Sequence, residues 1–172
     1  RIEDIPEKAL GVYEDLGYRV KEKNCEYIYR KNDLADAAGN RYKAKRALYN
    51  YFVKNYRPEY REFTADDRGP CLELFKRWKE ARIKSRADVY YKALLEDSAG
   101  AHRKAMDRFA ELNLAGRVVE VNGRICAYTF GYRLNNDTFV ILFETADLEV
   151  KGLPQFIFRE FCKELEEFKY IN

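Results

Sequence analysis

The sequence contains a single histidine, His102, and only four cysteines in 172 residues. Cys25, Cys71, Cys126 and Cys162 are widely separated and form no Cys-x-x-Cys pair. That excludes the usual zinc and haem spacings and argues against a disulfide framework. Buried free thiols in a reducing cytoplasm are the simplest reading. His102 sits in a polar stretch with no evident partner and is expected at the surface. No apolar run approaches the roughly 20 residues of a membrane span, no signal peptide is visible, and no internal repeat or low-complexity tract stands out. The chain starts at Arg1 and stops at Lys169-Tyr170-Ile171-Asn172, which reads as a strand just beginning. Both ends therefore look cut, and a fragment is expected.

Hydrophobic residues make up 47% and charged residues 35%, which is a globular composition and not a disordered one. The length fits one domain, or one domain plus part of another. Net charge is only +3. Residues 41–57 are different: Arg41, Lys43, Lys45, Arg46, Lys54 and Arg57 stand there without any acid. On a helical wheel Ala44, Leu48 and Phe52 share one side, flanked by Tyr49 and Tyr51. Lys43, Arg46, Asn50, Lys54 and Arg57 form a stripe on the other. The expectation is a helix docked by its apolar side, with the basic stripe as a rail for phosphates of tRNA or lipid headgroups. The competing reading is a solvated face, although such faces usually mix signs.

The chain then divides into elements. Residues 2–17 read as a helix, with Asp4 as cap, Pro6 in the first turn and Gly17 at the end. Residues 26–30 read as a short strand, 32–40 as a connector, 41–57 as the basic helix and 59–63 as a strand. A helix follows the Gly69-Pro70 break, with Leu72, Phe75 and Trp78 at helical spacing. Two further helices are expected over 87–98 and 99–114, the second burying Ala105, Met106, Phe109 and Leu112. Asn122-Gly123 marks a hairpin, since a type I′ turn needs positive φ at both residues. Residues 138–145 form a nearly continuous apolar run, as in a strand covered on both faces. Residues 153–168 are an amphipathic helix, and 170–172 begin a strand. From Glu59 onward the order β, α, α, β, β, β, α, β resembles that of an α+β acyltransferase core of the GNAT type, a mixed sheet with flanking helices, although other α+β folds share such an order.

The motif "DLADAAGNRYKAKRALYNYF" resembles the pattern of a family containing the C-terminal domain of bacterial phosphatidylglycerol lysyltransferases. The stretch from Leu114 to Phe161 and the closing "YIN" continue the resemblance. That family is similar in turn to the Fem peptidyltransferases. Ala47 stands where the pattern has Asn, and Thr145 where it has Lys. The resemblance implies two GNAT-like copies in tandem. Residues 1–57 would then link an upstream copy to a second core over 58–172 that lacks its C-terminal end. It also implies transfer of an aminoacyl group from charged tRNA to a lipid or peptidoglycan acceptor, in the cytoplasm, with tRNA as a partner through the basic helix. Acyl-CoA is the alternative donor.

Glu144, at the end of the apolar run, is the candidate general base for an attacking amine or hydroxyl. Its alternative is a structural hydrogen bond or ion pair. Tyr128, on the adjacent strand, is a candidate hydroxyl donor, with core packing as its alternative. The loop 146–155 has one glycine, Gly152, and no glycine-rich phosphate pattern, which disfavours standard coenzyme A binding. Lys151 and Gly152 remain candidates for a single phosphate. A catalytically degenerate module that binds RNA, phospholipid headgroups or protein is the competing function.

Overall fold

The computed structural model describes residues 2, 5, 7–22, 26–85 and 88–172. Asp4, Pro6 and Cys25, which carry expectations above, lie outside the described residues. Six strands form one mixed sheet in the order β1-β6-β5-β4-β3-β2. They are β1 (Tyr29–Arg30), β2 (Pro58–Glu62), β3 (Ala115–Val121), β4 (Arg124–Arg133), β5 (Thr138–Ala146) and β6 (Tyr170–Ile171). All neighbours are antiparallel except β5 and β6, which run parallel. The parallel pair requires a crossover, and α6 (Leu153–Glu164) provides it.

After a first short helix, α1 (Leu10–Asp15), two layers of helices cover the sheet. On one face, α3 (Lys43–Asn55) and α6 bury Phe52, Leu153, Phe156 and Ile157 against Val119 and Ala127. On the other, α4 (Arg68–Ser85) and α5 (Val89–Asp107) bury Leu74, Phe75 and Met106 against Val118, Tyr128 and Phe130. Burial on both faces is why β4 and β5 read as near-continuous apolar runs. The hairpin between β3 and β4 turns at Asn122 (φ 53°) and Gly123 (φ 75°), as their identities require.

Three local readings are corrected. Residues 32–40 are not all connector: Lys31–Asp36 form a short helix, α2, which ends at Ala37 in the left-handed region (φ 51°). Leu34 and Ala35 bury it against Phe161, Cys162 and Leu165. The two helices expected over 87–114 are one, α5, which continues through Gly100. A glycine in a helix interior costs about 1 kcal/mol, and burial of Leu95, His102, Ala105 and Met106 on either side of it outweighs that. Because α5 stops at Asp107, Phe109 packs from the following turn and Leu112 is exposed. Gly69-Pro70 is no break either. The helix starts at Arg68, where proline in the first turn loses no hydrogen bond.

β5 carries an extra residue. Phe143 pairs with Phe130 and Ile141 with Gly131, which leaves Leu142 unopposed in a β-bulge. Before the bulge, Phe139 and Ile141 face the α6 layer. After it, Phe143 faces the α4–α5 layer, while Ala146 faces α3 and α6. The bulge thus reverses which face each alternate residue serves.

Candidate functional site

Glu144 lies two residues beyond the bulge, so its side chain enters the α3–α6 layer. There it reaches a cavity of about 240 Å³. Leu34 and Ala37 from α2, Tyr42, Lys45, Arg46 and Tyr49 at α3, and Pro154, Gln155, Phe158 and Arg159 of α6 line it together with Glu144. The Glu144 Oε2 is shielded from water and has no hydrogen-bond partner among the described residues. Burial pushes its pKa up to about 8. A desolvated carboxyl without a counter-ion holds its proton, because the charged form loses its hydration and gains nothing in return.

Two guanidinium groups on the cavity wall are committed to α2. Arg46 Nη1 donates to the carbonyls of Ala37 and, at 2.7 Å, Gly39. Arg159 Nε donates to the Ala35 carbonyl at 2.7 Å, and its Nη2 to that of Asp36 at 3.0 Å. The carbonyls of Ala35, Asp36 and Ala37 end α2, where intrahelical donors run out and cations are favoured, whereas that of Gly39 begins the next turn and also accepts from the Tyr42 N–H. Arg159 also lies 4.5 Å over the Tyr49 ring. The Tyr49 hydroxyl donates to Glu160 Oε1 at 2.7 Å, and Lys163 Nζ donates to the same oxygen at 2.7 Å. Burial is the main reason the Tyr49 phenol is shifted upward.

The basic stripe expected on α3 is divided by the fold. Lys43, Asn50, Lys54 and Arg57 are exposed on the outward side, whereas Arg46 turns inward to α2. The docked side is built from Tyr42, Leu48, Tyr49, Phe52 and Tyr56. Ala44 and Tyr51, expected there or beside it, are exposed. Part of the missing counter-charge comes from elsewhere in the chain. Asp33 of α2 pairs with Arg41 at 2.8 Å, and the carbonyls of Ala37 and Gly39, just past the end of α2, take Arg46. Among the described residues Lys43, Lys54 and Arg57 make no ion pair.

Lys151 is exposed, with Nζ 4.6 Å over the Tyr51 ring. Gly152 is buried at φ 86°, and any Cβ there would collide with the Leu48 carbonyl. The loop glycine therefore serves a close approach of α3 to the start of α6, and the phosphate role read for it in the sequence has no open surface to act on.

Tyr128 and Glu144 are not brought together. Tyr128 pairs with Thr145, and Glu144 with Thr129, so the two side chains leave opposite faces of the sheet. The Tyr128 hydroxyl is 2.7 Å from His102 Nδ1. The expectation of a surface histidine is corrected accordingly. His102 is 4% exposed, between the rings of Phe75 (4.3 Å) and Phe143 (4.0 Å), and burial pushes its pKa down to about 4. Its partner comes from a strand 26 residues away, which sequence inspection could not reveal.

The residues missed in the sequence are Lys45, Tyr42 and Arg159. Arg159 did carry a signal, as a cation set among the apolar residues of the last helix.

The family described as "Phosphatidylglycerol lysyltransferase, C-terminal" matches residues 2–172. The chain belongs to this family. No curated protein matches it significantly. A conserved protein of unknown function from Bacteroides thetaiotaomicron is 33% identical over 85% of this chain and 48% of its own, with a TM-score of 0.73. The C-terminal domain of a protein described as a lysylphosphatidylglycerol synthetase from Agrobacterium fabrum shares the fold at 10% identity, with a TM-score of 0.51 over 96% of this chain and 51% of its own. A functionally unknown conserved protein from Staphylococcus epidermidis gives a TM-score of 0.50 at 11% identity, over 98% and 56%. The chain thus spans about half the length of these structures. In this member of the lysyltransferase C-terminal family no helix among the described residues is long and apolar enough to cross a membrane. Nor do those residues include a cluster of groups able to hold a metal ion.

Proposed function

We propose that the domain is an acyl- or aminoacyltransferase of GNAT type, with the cavity at Glu144 as its transfer site. The observation that carries this reading is the buried, unpartnered Glu144 carboxyl at the end of a sheet strand, facing a cavity. A carboxyl with a pKa near 8 is matched to an amine nucleophile at neutral pH. Its ionised form takes a proton from the acceptor nitrogen or oxygen. The acceptor then forms a bond to the acyl carbon of an ester or thioester, and the alcohol or thiol departs with a proton. Aminoacyl-tRNA and acyl-CoA are the two donor classes. The exposed Lys43, Lys54 and Arg57, with Asn50, support tRNA. The reading places the protein in the cytoplasm, where both donors occur, and takes an upstream GNAT-like copy, with residues 1–57 as its link to the 58–172 core, as a further part of the active protein.

One observation favours the alternative of a module that binds without catalysis. Gly152 is closed beneath the Leu48 carbonyl, so the one glycine of the loop offers no open surface to a coenzyme pyrophosphate. The test uses the full-length protein with a charged tRNA pool and, separately, acetyl-CoA. Transfer that falls at least 100-fold in Glu144→Gln, with folding retained, supports the reading. Salt-sensitive tRNA binding lost in Lys43→Glu, Lys54→Glu, Arg57→Glu assigns the donor to tRNA. Ligand binding without turnover, unchanged by Glu144→Gln, leaves the binding module.

A further inference from the structure

The cavity is electrically lopsided. Its one acid, Glu144, has no counter-ion and no partner on Oε2. Its three cations, Lys45, Arg46 and Arg159, lie on the walls contributed by α3 and α6. Of their donors, Arg46 uses Nη1, and Arg159 uses Nε and Nη2. Arg46 Nε and Nη2, Arg159 Nη1 and the Lys45 ammonium have no hydrogen-bond acceptor among the described residues. Lys45 reaches only the Tyr42 ring, at 6.0 Å. The other titratable groups facing Glu144 leave it neutral company. The Cys162 thiol of α6 is pushed up to about 12, chiefly by burial, and the Tyr49 hydroxyl is held by Glu160.

We propose that this cavity takes a small zwitterion, with a primary ammonium against Glu144 and a carboxylate or phosphate against Lys45 and the open N–H groups of Arg46 and Arg159. A bare anion would leave the Glu144 oxygen unused, and a bare amine would leave the wall cations unanswered. A cavity of about 240 Å³ limits the occupant to a small molecule or one end of a larger one. α-Amino acids and aminoalkyl phosphates share the required chemistry. Naming this ligand as the acyl acceptor rests on the transfer reading above; its binding does not.

Binding converts a neutral carboxyl and a ligand ammonium into an ion pair and releases the carboxyl proton to solvent. Calorimetry on the full-length protein at pH 7, in buffers of different ionisation enthalpy, reads that proton directly. The probes are L-alanine and O-phosphoethanolamine, with acetate, inorganic phosphate and methylamine as single-charge controls. The expected result is binding of at least one zwitterion, at least tenfold tighter than any control, with release of roughly one proton. Which zwitterion binds assigns the anionic group. Glu144→Gln, with its fold checked by circular dichroism, abolishes the release and weakens binding at least tenfold. Lys45→Glu, at an exposed position, weakens binding and keeps the release. Controls that bind as tightly as the zwitterions, Glu144→Gln that binds unchanged, or no zwitterion binding at millimolar concentration would each overturn the proposal. Zwitterion binding without transfer from any donor would refute the transfer reading instead and leave this one standing.

Discussion

Glu144 and Thr129 are cross-strand partners, and together they fix the face of the sheet on which the only unpartnered buried carboxyl oxygen among the described residues stands. Thr129 is fully buried, with its hydroxyl donating to the Phe143 carbonyl at 3.0 Å, so it has no proton left to donate to the Glu144 carboxyl. A carboxyl in that position stays available to whatever enters the cavity.

Stability should follow pH through two opposed groups. The Glu144 pKa is raised to about 8 in the fold, so its contribution is complete below the ordinary value of 4.5 and is lost as pH rises towards 8. His102 is lowered to about 4, so its contribution is complete above 6.5 and is lost as pH falls towards 4. The two slopes offset one another between 4.5 and 6.5, and stability should then decline from 6.5 to 8. Urea denaturation across pH should show that decline, and Glu144→Gln should remove it. A decline of the same size in the variant would mean that Glu144 is not desolvated.

Arg159→Ala should strip the carbonyls of Ala35 and Asp36 of their donors. Losing hydrogen bonds from a charged donor costs about 1.5–3 kcal/mol each, less where water reaches the carbonyls. Hydrogen exchange should accelerate in α2 before it does in α6. Arg159→Lys should not restore protection, because one ammonium cannot reproduce a planar fork spread over two carbonyls.

Gly152→Ala should be among the most damaging single-methyl changes in the chain. It combines a left-handed φ of 86° with a collision at the Leu48 carbonyl. A loss of about 2–4 kcal/mol is expected in denaturant titration, from backbone strain and overpacking together. Gly39→Ala, at φ 79° but with open space around it, should cost less, which separates the steric part from the conformational part.

Tyr128→Phe should leave His102 Nδ1 without its partner and cost about 1–3 kcal/mol of stability. Transfer by the folded variant should be unchanged, because the hydroxyl points into the α4–α5 layer. A large fall in turnover at full folding would return Tyr128 to the site.

Much of the fold was legible because it rests on local chemistry. Asn122-Gly123 turns where it must, the run 138–145 is the doubly covered strand, and Leu153, Phe156, Ile157 and Phe161 mark the buried face of α6. Glu144 was legible for the same reason, as an acid at the end of an apolar run. What failed was long-range. α2 reads as connector because the groups that hold it, Arg46 and Arg159, belong to other helices. His102 reads as exposed because its hydroxyl partner lies on β4. The basic stripe reads as uniform because nothing in residues 41–57 says that Arg46 has carbonyls to meet.

The short helix α2 has a consequence for how the cavity comes into being. Six residues cannot hold a helix in water unaided. Its order is borrowed from side chains that arrive only when α3 and α6 have docked. The cavity wall should therefore form late in folding and be lost early on unfolding. Denaturant too dilute to unfold the sheet should already erase the binding site, and inactivation should precede any change in the spectroscopic signal of the core.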